Sequence, residues 1–194
     1  MPRDGFLFLD ADYSQIELRL LAHMAGDQAM IEGFHSGADI HTITASQVFG
    51  VTPDQVTPQM RRSAKAVNFG IVYGISAFSL SQDIGVSVAE AKAYMEAYFA
   101  TFPGVRKYMD DVVAKAKEQG CVETLFHRRR DLPELKSSNF NLRSFGERVA
   151  LNMPIQGTAA DIMKLAMIRV EQRLSGEGLA ARLIMQVHDL SLIH

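Results

Sequence analysis

The segment from Thr57 to Tyr73 constrains this chain more than any other. Thr57-Pro58 is a cap-like start with proline at the first helical position. Arg61, Lys65, Phe69 and Tyr73 then recur every four residues, which sets them along one slowly drifting helix face. A stripe of two cations and two aromatics is not what a core face carries. A phosphate-bearing ligand with an aromatic ring can use all four, the cations on the phosphates and the Phe69 ring under base and sugar. The plain alternative is a solvated basic helix end running into a buried aromatic one. Gly70 and Gly74 fall in the same predicted helix, each costing about 1 kcal/mol relative to alanine. Small residues there fit a place where another flat group approaches closely.

Composition adds bounds rather than identity. The 194 residues are 47% hydrophobic and 22% charged, with a formal net charge of −2, which suits a folded chain with one sizeable core. The apolar content excludes disorder, and 14 Gly, 6 Pro and one Cys exclude collagen-like and disulfide scaffolds. The lone Cys121 has no internal partner to bridge, so a reducing, cytoplasmic location is expected. Only Phe6 to Leu9 are apolar before Asp10, far short of a signal peptide or a membrane span.

The near-neutral total hides a polarised map. Residues 1–35 carry Arg3 and Arg19 against six acids, for −4. Residues 58–75 carry Arg61, Arg62 and Lys65 with no acid, for +3. Residues 124–148 carry six cations, among them Arg128, Arg129 and Arg130, against three acids, again +3. An acidic start beside basic segments can hold a metal ion next to phosphates, although windows this small also fluctuate by chance.

Along the chain, Gly5 to Asp12 reads as a short buried strand and Ser14 to Ala25 as a helix, with Ile16, Leu20 and Met24 on one face. Thr52-Pro53-Asp54-Gln55 has capping-box form. Two amphipathic helices are predicted near Ser87–Thr101 and Gly104–Gln119, divided by Phe102-Pro103-Gly104. Cys121–Leu125 is a candidate strand, and the arginine run with Pro133 a turn or hairpin. Asn141–Ser175 reads as a long helical region interrupted at Pro154, with Ile155, Ala159, Ile162, Ala166 and Val170 as a core stripe. Ala180–His188 reads as a closing strand. Repeats, low-complexity tracts and flexible linkers are absent from the sequence.

Two further groups can carry chemistry. Asp12 ends the first predicted strand and Asp189 the last. If those strands are neighbours in one sheet, the acids converge on divalent metal, which one or two carboxylates hold together with substrate phosphates. Taken singly, an acid at a strand end is usually a turn residue or cap. Arg148, Asn152 and Gln156 fall at i, i+4 and i+8 on the long helix. Their side-chain donors suit base edges in a minor groove, where exposed helix polars are the ordinary alternative.

These strings together resemble the polymerase domain of family A DNA polymerases, the bacterial DNA polymerase I group. DADYSQIELR at 10–19 is similar to the family's motif A, RRSAKAVNFGIVYG at 61–74 to motif B on the nucleotide-binding fingers helix, and QVHD at 186–189 to the opening of motif C. IHTITASQVFGV, TLFHRRRDLPE and NMPIQGTAADI match the family in order and spacing. The resemblance implies an α+β fragment, with mainly helical fingers, part of an antiparallel palm sheet and no thumb. It divides the chain into a palm part with motif A at 1–40, fingers helices at 41–120, and a second palm part with the long helix at 121–194.

The resemblance also implies roles. Asp12 and Asp189 would be catalytic metal ligands for two Mg²⁺ ions, with the Tyr13 carbonyl as a further ligand. Arg61 and Lys65 would bind the triphosphate, Lys65 also protonating the leaving pyrophosphate. Phe69 would pack on the incoming nucleotide and Tyr73 would lie at the templating base. Glu17 would close the sugar pocket against a 2′-hydroxyl, and Gln15 and His41 would make lesser nucleotide contacts. Arg148, Asn152 and Gln156 would meet primer–template DNA, and His188 the primer end; His23, His35 and His127 are left as structural. The implied activity is template-dependent transfer of deoxynucleotides from dNTPs to a primer 3′-hydroxyl with release of pyrophosphate, in bacterial DNA replication or repair at the nucleoid. The alternative is a catalytically incompetent fragment that only binds nucleotide or DNA. Nothing in the sequence calls for an obligate protein partner. After Asp189 the family continues with glutamate, whereas here Leu190-Ser191-Leu192-Ile193-His194 follow, as expected of a truncated gene or foreign sequence at a junction. Missing thumb and palm strands would leave weak grip on duplex and open sheet edges.

Overall fold

In the computed structural model, residues 4–187 and 190–193 are described. Strand β1 (Leu9–Asp12) leads through a tight turn into α1 (Ile16–Ala25), followed by α2 (Gln28–His35) and α3 (Ile40–Phe49). A single 3-10 turn at Pro53–Gln55 precedes α4 (Pro58–Val72), α5 (Ala77–Ile84), α6 (Val88–Thr101) and α7 (Pro103–Gln119). A small hairpin of β2 (Cys121–Glu123) and β3 (Arg129–Asp131) and a second 3-10 turn (Pro133–Lys136) lead to α8 (Phe140–Gly176). Strands β4 (Leu183–Val187) and β5 (Leu190–Ile193) join β1 in an antiparallel sheet of order β1-β5-β4. The architecture is α+β, helical with a small sheet, as expected.

Short polar side chains start most of these helices. Asp27, Asp39, Thr57, Ser76 and Ser87 each accept a bond from the backbone N–H three residues on, which satisfies an otherwise orphaned donor. At Thr52 the Gln55 side chain does reach back to the cap N–H, at 3.3 Å, yet only one turn forms. The following Thr57-Pro58 explains this, because a residue before proline is pushed out of the helical region. α4 ends in a two-bond cap: Ile75 N–H donates to Gly70 O at 2.8 Å and Gly74 N–H to Ile71 O at 3.0 Å. Gly74 has φ +65°, so it lies past the helix in the left-handed region rather than inside it as predicted. Ile75 packs so closely over Gly70 that a β-carbon there would sit 2.6 Å from its methyl. The flat approach anticipated at Gly70 is thus made by the chain itself.

The main core gathers Leu18 and Leu21 of α1, Met30 of α2, Ile40 of α3, Val67 and Ile71 of α4, Tyr98 of α6 and Ile155 of α8. A second cluster of Ala116, Val122, Leu132, Leu135 and Ala150 holds the hairpin against α7 and α8. Between these clusters α8 runs unbroken through Pro154. The predicted interruption is absent because packing on both sides of the proline, by Ala150, Leu151 and Ile155, overrides its local cost. The predicted core stripe holds for its first part: Ile155 and Ala159 are buried and Ile162 packs half-buried against the core, whereas Ala166 and Val170, also half-buried, line a groove beside the sheet.

The first strand differs more. It is exposed along its length, Leu9 being 61% accessible. An apolar run is buried only when another layer covers it, and β1 is an edge strand, with Ala11 and Asp12 bordering an open groove whose far wall is Ala166, Met167 and Val170 of α8. The departing residues after Asp189 form β5, the central strand, pairing with β1 on one side and β4 on the other.

Tyr98 is fully buried, and among the described residues its hydroxyl has no hydrogen-bond partner. Burial first, and the Asp27 charge second, push this phenol well above its usual range. Tyr98→Phe should therefore stabilise the fold by about 1 kcal/mol, since an unpaired buried hydroxyl is removed without changing shape. Thermal melting followed by circular dichroism should show a midpoint about 2–4 °C higher; a lower midpoint would contradict the orphaned state.

Candidate active site

The α4 stripe lies against the turn after β1 and the start of α3. A cleft of about 360 Å³ is lined by Asp12 and Ser14 from the β1–α1 turn, by Gln15 and Glu17 at the start of α1, by His41 of α3, and by Arg61, Lys65, Phe69 and Tyr73. All four members of the stripe therefore line one space together with Asp12, Gln15, Glu17 and His41, the basic end exposed and the aromatic end half-buried. Lys65 Nζ sits 5.8 Å from the Phe69 ring centre. The Phe69 and Tyr73 rings lie nearly parallel, 16° apart with centres 6.4 Å from each other.

The floor of the cleft is built from α1. Glu17 is buried and accepts a bond from the Tyr73 hydroxyl at 3.0 Å, while its other carboxylate oxygen is buried without a partner among the described residues. Gln15 precedes α1 with φ +59°, a left-handed conformation uncommon for a side chain of this kind. That kink lets the chain turn from the strand end carrying Asp12 into the helix carrying Glu17.

His41 is buried beside the cleft, and burial lowers its pKa, with the Asp39 carboxylate pulling the other way. Burial thus favours the neutral ring. Its Nδ1 lies 3.0 Å from the Asn68 side-chain nitrogen, and Asn68 Oδ1 accepts from the Thr44 hydroxyl at 3.1 Å. With the amide so oriented, Nδ1 is the acceptor and the ring hydrogen rests on Nε2.

Arg61 is held in a way the sequence reading did not foresee. Its Nε and Nη2 donate to the two oxygens of Asp39, at 2.7 and 3.1 Å. Partial burial raises the Asp39 pKa, but the bonds from Arg61 and Thr42 and the Arg61 charge outweigh it, holding the carboxyl far below its usual range. Asp39 and Asn68, which hold the cleft-lining Arg61 and His41 without lining the cleft themselves, are the residues that sequence reasoning missed. The signal for Asp39 was its place before the apolar Ile40, three residues ahead of Thr42, where it caps α3. Asn68 had no such mark, because its role depends on α3 packing against α4.

Of the proposed metal ligands, Asp12 is exposed at the cleft mouth, and its carboxylate has no hydrogen bond or ion pair among the described residues. The Tyr13 carbonyl accepts from Ile16 N–H at 3.2 Å and keeps a second lone pair. Asp189 and His188 lie outside the described residues. The strands expected to be neighbours are separated by β5, and Asp12 pairs with Leu190, the residue that follows Asp189 in the chain. No group of three or more histidine, cysteine or acidic side chains is assembled for a metal among the described residues.

Arg148 lines a second cleft of about 470 Å³ on the other side of Phe69 and Tyr73, with Gly74, Ser76, Ser79 and Asp83. Its guanidinium donates to Ser144 Oγ at 3.0 Å. Asn152 and Gln156 follow on α8 and are half-buried, and neither lines the two clefts. His127 lies in the hairpin turn with φ +60°, exposed and 3.7 Å from Glu123. No helix of the described residues is long and apolar enough to cross a membrane.

The chain is similar to known proteins over nearly its whole length. The chain is 56% identical over 184 residues to DNA polymerase I of Streptococcus pneumoniae and 58% identical over 184 residues to DNA polymerase I of Bacillus caldotenax. These alignments cover 94% and 95% of this chain but 21% of each relative, so the chain spans about a fifth of the length of the curated relatives it matches. A solved structure, the POL domain of Pol1 from M. smegmatis in complex with DNA primer-template and dNTP, superposes with a TM-score of 0.94 at 49% identity. It covers 99% of this chain and 34% of that one. The description DNA polymerase family A matches across residues 1–193, and with identities above one half over nearly its whole length the chain belongs to that family.

Proposed function

We propose that the cleft between the β1–α1 turn and α4 binds a deoxynucleoside triphosphate beside a divalent metal, and that it serves template-directed DNA synthesis. The observation that carries this reading is the convergence of Asp12 with Arg61, Lys65, Phe69 and Tyr73 on one space. The solved relative named above was captured with primer-template DNA and dNTP, and its likeness over this chain supports the same ligands here.

The residues present fit a hard cation. The Asp12 carboxylate, without a partner among the described residues, and the carbonyl of Tyr13 offer oxygen donors, and Mg²⁺ takes one or two carboxylates with substrate phosphates rather than a closed protein cage. When bound, such ions lower the pKa of the attacking 3′-hydroxyl and neutralise the triphosphate. Arg61 and Lys65 then hold the phosphates and stabilise the charge that develops on the leaving pyrophosphate. Lys65, close over the Phe69 ring, is the group suited to give that leaving group a proton. Phe69 supports the base, the Glu17–Tyr73 pair closes the floor beneath the sugar, and Nε2–H of His41 is a neutral donor to a phosphate oxygen. Arg148, Asn152 and Gln156 present donors to primer–template DNA along α8. Asp189, as second carboxylate, and His188 at the primer end complete the reading, as does a role in DNA replication or repair.

Primer extension by the 194-residue chain tests the proposal against a fragment that only binds. In Mg²⁺, a primer annealed to a template should gain the nucleotide complementary to the next template base, and chelation should stop it. Binding of DNA or dNTP with no templated incorporation would favour the binding-only alternative.

A further inference from the structure

Arg61 faces the cleft, yet its guanidinium is already engaged. Asp39 takes two of its donors in a side-by-side pair, Nε to Oδ2 at 2.7 Å and Nη2 to Oδ1 at 3.1 Å. That forked geometry is the one a phosphate would use. We infer that Asp39 is an internal competitor for Arg61, its carboxylate standing where a triphosphate oxygen pair would bind, so that nucleotide binding exchanges one anion for the other. This rests on the triphosphate reading of the cleft and deepens it by naming a positioning residue.

Three observations make the exchange feasible. The pair is partly exposed, the Arg61 and Asp39 side chains being 46% and 30% accessible, and ion pairs of that exposure are weak and readily broken. Asp39 does not depend on Arg61 for its own hydrogen bonds. It caps α3 by accepting from Thr42 N–H at 3.1 Å and from the Thr42 hydroxyl at 2.7 Å, so the departure of Arg61 leaves no buried carboxylate stranded. Finally, Asp39 touches the rest of the cleft as well. Gln15 Nε2 donates to it at 3.4 Å, and its charge acts on His41. A single carboxylate therefore offsets the positive charge of the phosphate side while no phosphate is there. A ligand must bring enough negative charge to compete, which favours a triphosphate over an uncharged nucleoside.

Equilibrium dialysis of labelled dATP with Mg²⁺ against the whole chain tests this. Asparagine caps helices as well as aspartate does, so Asp39→Asn removes the charge while keeping the start of α3; Asp39→Ser serves as a second variant on the same logic. Either substitution should tighten dATP binding by about threefold to fivefold. In an Arg61→Ala background, where binding is weaker overall, the same substitutions should change affinity less than twofold by the logic of a double-mutant cycle. Unchanged or weaker binding by both single variants, with the original chain still binding dATP, would overturn the competitor role alone. Equal tightening with and without Arg61 would overturn it too, because the charge would then act on the ligand directly. Failure of the original chain to bind dATP, or loss of Arg61 without effect, would overturn the triphosphate reading and this inference with it.

Discussion

Asp12→Ala is expected to abolish primer extension, lowering its rate by at least about a thousandfold, an amount set by roughly 4 kcal/mol of lost transition-state stabilisation. The fold should not change. Asp12 is exposed, and its carboxylate bonds to nothing among the described residues, so its removal belongs with surface substitutions that stay within about 0.5 kcal/mol. The separation of effects is the point of the test. A residue that holds β1 together would lower the melting midpoint, whereas a residue kept free for a metal lowers only the chemistry. Asp12→Asn preserves shape and loses charge, and should behave like alanine. A second readout does not depend on turnover: Mg²⁺ should tighten dATP binding by the original chain and fail to do so in Asp12→Ala. Extension near the original rate in Mg²⁺ would remove Asp12 from the catalytic role.

Asp27→Ala should cost the fold about 3 kcal/mol, combining a lost helix cap with an orphaned buried donor. Asp27 is buried at the junction of α1, α2 and α7. One oxygen accepts from Met30 N–H at 3.0 Å and starts α2; the other accepts from Gly104 N–H at 2.8 Å, across 77 residues of chain. Gly104 must approach closely for this, since a β-carbon there would lie 3.0 Å from the Asp27 α-carbon. One carboxylate thus joins the break after α6 to the end of the helix that carries Glu17. Thermal melting should show a midpoint lower by about 6–12 °C for a domain of this size. Asp27→Asn keeps one acceptor for the α2 cap and should recover part of the loss. An alanine variant within about 2 °C of the original would contradict this account of the junction.

How far the sequence carried depended on where each signal is generated. α4 was legible because its stripe mixes residue types that a core and a solvated face would not share, and the Thr57-Pro58 start agreed with it. α6 and α7 were legible because Phe102-Pro103-Gly104 marks their boundary. α2, α3 and α5 were not read. They have eight, ten and eight residues and none showed a periodic stripe as clear as the Ile16, Leu20 and Met24 face of α1, so only the caps Asp27, Asp39 and Ser76 announce them. β1 was found as a strand but its exposure was not, because burial of a strand is decided by whatever layer lies over it. Pro154 was read as a break, since its local cost is visible in sequence while the packing that overrides it is not.

The candidate site divides along the same line. Residues on one helix could be grouped from spacing alone, and Arg61, Lys65, Phe69 and Tyr73 do share one cleft. Contacts between elements could not: the Arg61–Asp39 pair and the Thr44–Asn68–His41 chain arise where α3 meets α4. Convergence of Asp12 and Asp189 on a metal was conditional on their strands being neighbours; β5 stands between β1 and β4, and Asp189 lies outside the described residues.

The central claim is that a deoxynucleoside triphosphate lies along α4 in the cleft that Asp12 faces. Photolabelling with 8-azido-dATP in Mg²⁺, followed by peptide mapping, tests it most directly. The account predicts label on the peptide that carries Phe69 and Tyr73, lost on addition of excess unlabelled dNTP and reduced in Lys65→Ala. Label confined to the apolar groove of Ala166, Met167 and Val170, or label that excess dNTP does not displace, would contradict it.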